Sequence, residues 1–250
     1  MSQSAVYPIN PPAAHRIADE AQALQVAEQV AAILLERDAE RDRTRQVPAE
    51  IVDLYSNSGL WGITVPREFG GAQVSSAVLA QVIAIISAAD PSLGQIPQNH
   101  YCLLEDIRLQ GTAQQQAHFF GLALQGHRFA NALSETGGKN VQDIQATIRR
   151  YGDGHVINGR KGYCTGSLYA HWLAVLALDE VQKGQLGFGE RGTKGLVIVD
   201  DWDSIGQRTT SSGTVLAEDL HVAAFNLFPT YRSYENPTPA GPFAQVTTAA

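Results

Sequence analysis

Residues 187–192 have the GxGxxG spacing of a dinucleotide-binding loop, in which main-chain N–H groups bind a pyrophosphate. That chemistry needs a strand before the glycines and a helix after them, because the helix N-terminus supplies the amides and the dipole. Here the following residues, 193–199, have the pattern of a strand. We therefore reject a dinucleotide site and predict a glycine-rich surface loop between strands.

Cysteines and histidines are the other residues with the chemistry for a metal or covalent site. Cys102 and Cys164 are the only cysteines; they lie far apart and form no CxxC motif. The seven histidines never fall into HExxH spacing. Structural zinc sites and disulfide frameworks need such spacing, so the sequence predicts neither a metal site nor a disulfide.

Two short segments offer groups that could hold a small molecule. Residues 131–134 (NALS) end a predicted strand and can supply main-chain N–H groups, an amide and a hydroxyl. Tyr163 and Thr165 can supply an aromatic face and a second hydroxyl. Such residues more often bond locally or pack in a core, so on residue type alone neither segment defines a site.

The composition limits the classes of protein. The chain has 250 residues, 44% of them apolar and 17% charged, so it can bury a core and is not generally disordered. A formal net charge of −7 gives no basic footprint for nucleic acid. The N-terminal residues lack the features of a signal peptide, and no apolar run reaches the length of a membrane span. We expect a cytoplasmic protein with no nucleic-acid or membrane partner.

Helices are predicted in the first half of the chain. Apolar residues recur at helical spacing over residues 15–45, and the charged end of this helix is expected to be a solvated face. A second helix is predicted from Pro48 to about Gly59, and a buried helix over residues 75–89. Thr112 and Gln115 have the spacing of a capping box that opens a further helix.

Strands are predicted after about residue 126, where the apolar period changes. They cover residues 129–134, 144–151, 155–157, 172–178, 196–199 and 215–222. Residues 152–154 (GDG) and 158–159 (NG) have turn chemistry, and Asn158 and Lys161 are expected to be turn and surface residues. Helices followed by strands predict an α+β fold with segregated layers.

Four segments resemble the acyl-CoA dehydrogenase superfamily, in order and at matching separations. They are GLWGITVPREFGG at residues 59–71, ALSE at 132–135, INGRKGYCT at 157–165, and GQRTTS followed by DLHV within 206–222. The resemblance implies a helical N-terminal domain, here residues 1–126, and a β-barrel-like middle domain, here residues 127–236. Residues 237–250 would begin a C-terminal helical bundle that the chain otherwise lacks.

In that family a flavin lies between the β-domain and the bundle. Its ring system needs an aromatic or apolar wall and a few hydrogen-bonding groups at its polar edge. The resemblance places Ser134, Tyr163 and Thr165 at the flavin, together with the main chain of Leu133 and Ser134. Without the resemblance, each of these residues would be interpreted as ordinary strand-end or core structure.

Departures from the dehydrogenase pattern point to a branch of the family. The usual Thr-Glu-Pro and Gly-Ser-Asp are replaced by SETGGKN at residues 134–140, and Trp-Ile-Thr by YCT at 163–165. These features resemble the flavin-dependent monooxygenases of the dibenzothiophene and sulfur-acquisition type. Members of that branch use reduced FMN from a separate flavin reductase and react it with O2. The full-length family forms a homo-oligomer, a tetramer.

The same branch implies further site residues. His100 matches a position near the reactive flavin carbon, where an imidazole can donate or accept a proton. Asn131 could donate a hydrogen bond to bound oxygen or substrate. Trp202 would lie near the flavin ring, and Asn140 and Ser211 near the FMN phosphate. A buried histidine with an ordinary partner is the competing interpretation of His100.

Three functions remain open from the sequence. The first is an FMNH2-dependent two-component monooxygenase acting on a small organosulfur compound with O2. The second is an FAD-dependent acyl-CoA dehydrogenase, whose catalytic carboxylate would come from beyond residue 225. The third is an inactive truncated fragment that exposes the apolar face on which the bundle would dock.

Overall fold

Helices come first and strands second along the chain, as the sequence predicts. The computed structural model describes residues 5, 7–10, 12–140 and 143–235. Its helices are α1 (Glu20–Leu35), α2 (Asp38–Thr44), α3 (Ala49–Asn57), α4 (Ser76–Ala89), α5 (Pro91–Gln110), α6 (Ala113–Leu124) and the short α7 (Arg232–Glu235). Its strands are β1 (Phe129–Ala132), β2 (Thr147–Tyr151), β3 (Gly154–Lys161), β4 (Trp172–Leu178), β5 (Gly184–Glu190), β6 (Leu196–Val199), β7 (Thr214–Ala223) and β8 (Leu227–Phe228).

Local sequence signals set several helix starts. The Ser75 side chain accepts the Val78 N–H at the start of α4. The Asp90 carboxylate accepts the Leu93 N–H at 3.0 Å and so caps α5, with Pro91 in its first turn. The capping box predicted for α6 is confirmed, since the Thr112 and Gln115 side chains and N–H groups bond reciprocally. These ends need no tertiary contact to be specified.

The predicted helix over residues 15–45 is two helices, α1 and α2, separated at residues 36–37. Its charged end is also less solvated than expected. Arg41 is buried, and its guanidinium lies 2.8 Å from the equally buried Asp90 carboxylate. The break turns α2 so that Arg41 reaches Asp90 beneath the start of α5, which a continuous helix with a solvated face would not provide.

The helical layer and the sheet share a core. α1 packs on α4, α4 on α5, and α5 on β1. One apolar cluster joins α5 and α6 to the sheet, through residues that include Ile107, Phe119, Phe129, Phe188 and Phe228. A second cluster fills the inner face of the sheet itself. The helices and the strands that follow them are therefore firmly docked.

The strands form one mixed sheet in the order β6-β7-β3-β2-β4-β5-β8, with β1 parallel to β4. Most neighbours are antiparallel, and the β2–β3 hairpin turns at Gly152 as the sequence predicts. The sheet curls so that glycines of β5 lie against side chains of β3 and β7. Within the described residues it does not close into a complete barrel.

Two glycine-based predictions were wrong in position. Asn158 and Gly159 do not form a turn but lie inside β3, at a bulge against β7 where Asn158 exchanges two hydrogen bonds with Asp219. Gly187 and Gly189 lie in strand β5 instead of a loop. A Cβ at Gly187 would lie 2.6 Å from Ile157, so a glycine is needed where β5 faces the packed interior.

No described helix combines the length and the apolar character required to cross a bilayer. The segment predicted to begin a further helical domain, residues 237–250, lies outside the described residues. The change from helix to strand falls between Leu124 and Phe129, at the position where the apolar period of the sequence changes.

Candidate functional site

Two of the predicted segments meet beyond the ends of strands β1 and β3. The first follows β1 and contains Leu133 and Ser134; the second follows β3 and contains Tyr163 and Thr165. They are joined by a hydrogen bond in which Gly162 N–H donates to the Ser134 carbonyl at 3.0 Å. A Cβ at Gly162 would lie 2.7 Å from the Thr136 side chain, so the missing side chain permits this close approach.

Asn131, three residues before Ser134, carries an unsatisfied acceptor. It lies in β1, where its neighbours Ala130 and Ala132 pack into the inner core of the sheet. The residue is 9% exposed, and its amide oxygen is buried without a hydrogen-bond partner among the described residues. A buried acceptor without a partner costs about 1–3 kcal/mol, and this oxygen is available to a ligand that donates a hydrogen bond.

Tyr163 and Trp202 form an aromatic wall beside the second segment. Tyr163 is 62% exposed and has a φ of 56°, an unusual conformation for a residue with a side chain. The Trp202 ring meets it edge to face, with ring centroids 6.2 Å apart. The Trp202 Nε1–H donates to the Gln207 carbonyl at 3.2 Å, which fixes the indole.

Thr165 belongs to a row of buried hydroxyl groups. Its Oγ1 lies 2.9 Å from Ser212 Oγ, which in turn lies 2.8 Å from Thr210 Oγ1. Thr210 Oγ1 donates to the Gln207 carbonyl at 3.1 Å. Because Thr210 donates its proton to Gln207, it accepts from Ser212, and Ser212 in turn accepts from Thr165. The Thr165 hydroxyl then keeps lone pairs that can accept a hydrogen bond from a ligand.

Ser211 and Asn140 make contacts of their own. Ser211 is buried with a φ of 48°, and its hydroxyl accepts the Leu168 N–H at 3.2 Å. It lines a cavity of about 420 Å³ together with Trp202, Arg45 and other residues of both layers. Asn140 lies in the exposed loop after Glu135, where its carbonyl accepts the Asp143 N–H at 3.1 Å.

His100 is fully buried in α5 and both of its ring nitrogens are engaged. Nε2–H donates to the Trp61 carbonyl at 2.8 Å, and Nδ1 accepts the Phe129 N–H at 3.1 Å. Burial lowers the pKa of the imidazole to about 3, so His100 is neutral at physiological pH. In this arrangement His100 ties α5 to the start of β1, and its predicted catalytic role stays a prediction.

The sequence interpretation missed the most buried charged group beside the site. Lys161, expected at the surface, is fully buried and its ammonium lies 2.6 Å from the Glu135 carboxylate. A signal was present, because both residues lie in segments that carry the family resemblance, Glu135 at the end of residues 132–135 and Lys161 within residues 157–165. Burial raises the pKa of the Cys164 thiol, between Tyr163 and Thr165, to about 12, so the thiol is protonated at neutral pH.

These groups suit one edge of a planar heteroaromatic cofactor. The exposed Tyr163 ring offers a flat wall, while the Asn131 oxygen and the Thr165 hydroxyl offer acceptors for ring N–H groups. The main chain of Leu133 and Ser134 continues beyond the β1–β4 ladder, which ends at the pair Ala132 and Val175. The residues present therefore fit the polar edge and one face of a flavin ring.

Comparison with known proteins finds one matching family and several related proteins. Residues 17–127 match the family Acyl-CoA dehydrogenase, N-terminal domain. A dibenzothiophene monooxygenase of Rhodococcus erythropolis is 33% identical over 190 residues, covering 73% of this chain and 44% of that protein. The probable FMNH2-dependent monooxygenase SfnC of Pseudomonas putida is 27% identical over 203 residues, covering 80% of this chain and 50% of that protein.

A solved structure shows the same fold. FMN-bound TdsC from Paenibacillus sp. A11-2 superposes with a TM-score of 0.78 at 29% identity, covering 82% of this chain and 53% of that chain. The chain thus spans about half the length of the relatives that it matches.

Proposed function

We propose that this chain, a member of the acyl-CoA dehydrogenase superfamily by its N-terminal domain and its fold, supplies the β-domain half of an FMN site in an FMNH2-dependent monooxygenase. The observation that carries the proposal is the buried, unpartnered amide oxygen of Asn131, three residues before Ser134. Residues 1–126 and 127–236 would be its helical and β-domains.

Each residue of the site has a distinct task in this proposal. Tyr163, supported by Trp202, covers part of the ring face, and Asn131 and Thr165 accept hydrogen bonds at its edge. The main chain of Leu133 and Ser134 donates to the same edge, and Asn140 and Ser211 approach the phosphate end. When bound and reduced, the flavin supplies the electrons that activate O2.

The rest of the reaction is proposed from the relatives. An organosulfur substrate follows from their names, as does reduced FMN, which a separate flavin reductase would deliver. We also propose a homo-oligomer and a cytoplasmic location. A proton-transfer role for His100 belongs to the proposal only if a change of partners frees one ring nitrogen from Trp61 or Phe129.

The proposed activity has a direct test. The chain is mixed with a flavin reductase, NADH, FMN and dibenzothiophene, in air and under nitrogen, and the oxidised sulfur product is measured. We expect product only when both reductase and O2 are present. Equal product under nitrogen would contradict the proposal, and bleaching of bound FAD by an acyl-CoA without O2 would instead support a dehydrogenase.

A further inference from the structure

A buried ion pair links the two segments that form the proposed flavin edge. Glu135 follows directly after Leu133 and Ser134, and Lys161 ends β3 just before Tyr163. The Lys161 ammonium is fully buried, the Glu135 carboxylate is 8% exposed, and the two lie 2.6 Å apart. The pair therefore sits behind the groups that would contact the cofactor.

Each member of the pair also holds main-chain atoms. The Lys161 ammonium donates to the Leu133 carbonyl at 3.2 Å. The Glu135 carboxylate accepts the N–H groups of Gln145 at 2.8 Å and Ala146 at 2.9 Å, and so anchors the end of the loop that begins after it. One charged pair thus fixes the exit from β1 and the approach to β2.

The bond to Leu133 determines where the next N–H group points. The Leu133 carbonyl and the Ser134 N–H belong to one planar trans peptide, so they point in opposite directions. Because Lys161 draws the carbonyl toward the interior, the Ser134 N–H is directed outward. The β1–β4 ladder ends at Ala132, so the main-chain direction at Ser134 is set by this bond and by the Gly162 bond to its own carbonyl.

Stability alone does not explain such a pair. Replacing a buried ion pair with apolar residues of similar volume is often neutral or stabilising, because both charges lose their hydration on burial. What the pair does provide is a fixed geometry for the main chain that it binds. We propose that Lys161 and Glu135 are positioning residues, which aim the Ser134 N–H at the edge of the flavin; this inference rests on the proposed function.

The charge state that the proposal needs is present at neutral pH. Burial alone would raise the pKa of Glu135, but hydrogen bonds from Lys161, Ala146 and Gln145 hold the pKa below its usual value. Burial lowers the pKa of Lys161, and Glu135 opposes that effect. The Glu135 carboxylate is therefore ionised at neutral pH and pairs with the Lys161 ammonium.

The decisive variant is the double substitution Lys161→Met with Glu135→Gln in the 250-residue chain. It removes both charges together, so no unpaired charge stays buried, and the introduced amide oxygen can still accept one of the two loop N–H groups that the carboxylate binds. The matched control is Arg41→Met with Asp90→Asn, which removes a second buried ion pair, 2.8 Å apart, in the helical layer. FMN affinity, melting temperature and hydrogen exchange are measured on both.

We expect the double variant to bind FMN about tenfold more weakly than the wild type, with faster hydrogen exchange over residues 133–146, while the control keeps its FMN affinity even if it melts earlier. If the double variant does not fold, Glu135→Gln alone serves, with an expected affinity loss of about threefold. Unchanged FMN affinity in a folded variant would overturn the positioning role alone. No FMN binding by the wild type would overturn the proposed function as well.

Discussion

The rings of Tyr163 and Trp202 meet edge to face, with their centroids 6.2 Å apart. The contact is notable because Tyr163 is largely exposed and strained at φ 56°, so the protein core gains little from it. Strained and exposed aromatic residues of this kind are found where a ligand completes the packing. We therefore propose that the pair forms the open face of the candidate site.

Replacing Tyr163 with alanine tests this wall. We expect FMN affinity to fall about tenfold, because the ring loses a flat partner, while the melting temperature changes little. Tyr151→Ala is the matched control, since Tyr151 is 55% exposed on the outer face of β2 and packs against His221. FMN affinity is measured by flavin fluorescence, and an equal loss in both variants would show that Tyr163 does not contact the flavin.

Replacing Asn131 with leucine should weaken FMN binding without lowering the stability of the protein. Asn131→Leu removes a buried acceptor without a partner, so we expect the free energy of unfolding to rise by about 1 kcal/mol or to stay unchanged. FMN affinity should fall at the same time, because the edge of the ring loses an acceptor. Urea unfolding and an FMN titration on the same samples measure both effects. A destabilised variant with normal FMN binding would show that Asn131 is structural.

FMN affinity should depend on the hydroxyl group of Thr165 more than on the volume of its side chain. Thr165→Val keeps the volume and removes the acceptor at the end of the hydroxyl row, so we expect a three- to tenfold loss of FMN affinity, about the contribution of one hydrogen bond. Thr165→Ser should largely restore binding. Thr214→Val is the control, because Thr214 is equally buried but its hydroxyl accepts from Arg160. Wild-type affinity in Thr165→Val would contradict the assignment.

The lowered pKa of His100 predicts how the stability of the protein depends on pH. Its folded pKa of about 3 lies below the unfolded value of 6.5, so the unfolded chain binds the proton more readily between these limits. Stability should therefore fall as the pH falls from about 6.5 toward 3, with a slope of up to about 1.4 kcal/mol per pH unit from this residue. His100→Gln can keep one donor and one acceptor, and we expect a shallower slope in its urea midpoints. An identical slope would show that other groups dominate.

Much of the fold could be predicted because its signals are local. The capping box of Thr112 and Gln115 and the turn at Gly152 depend on neighbours in the chain, and both were predicted correctly. Gly187 was misplaced in a loop because its reason lies elsewhere: Ile157, on another strand, fills the space that a side chain would need. The same holds for Asn158, whose partner Asp219 is distant in the sequence.

The site shows the same division. Residue types and family resemblance pointed to Ser134 and Thr165, but no local pattern could show that Asn131 lacks a partner for its amide oxygen. Lys161 was assigned to the surface because lysines are rarely buried unless paired, and its partner Glu135 is 26 residues away. The sequence pattern does not show which distant residues become hydrogen-bond or ion-pair partners in the folded protein.

The most direct test of the central claim is a titration of the 250-residue chain with FMN and, separately, with FAD, in oxidised and reduced form. Flavin fluorescence and absorbance would be followed for the wild type, Tyr163→Ala and Tyr151→Ala. We expect FMN to bind more tightly than FAD and only the Tyr163 variant to bind weakly. A preference for FAD, or no binding of either flavin, would contradict a β-domain FMN site in this chain.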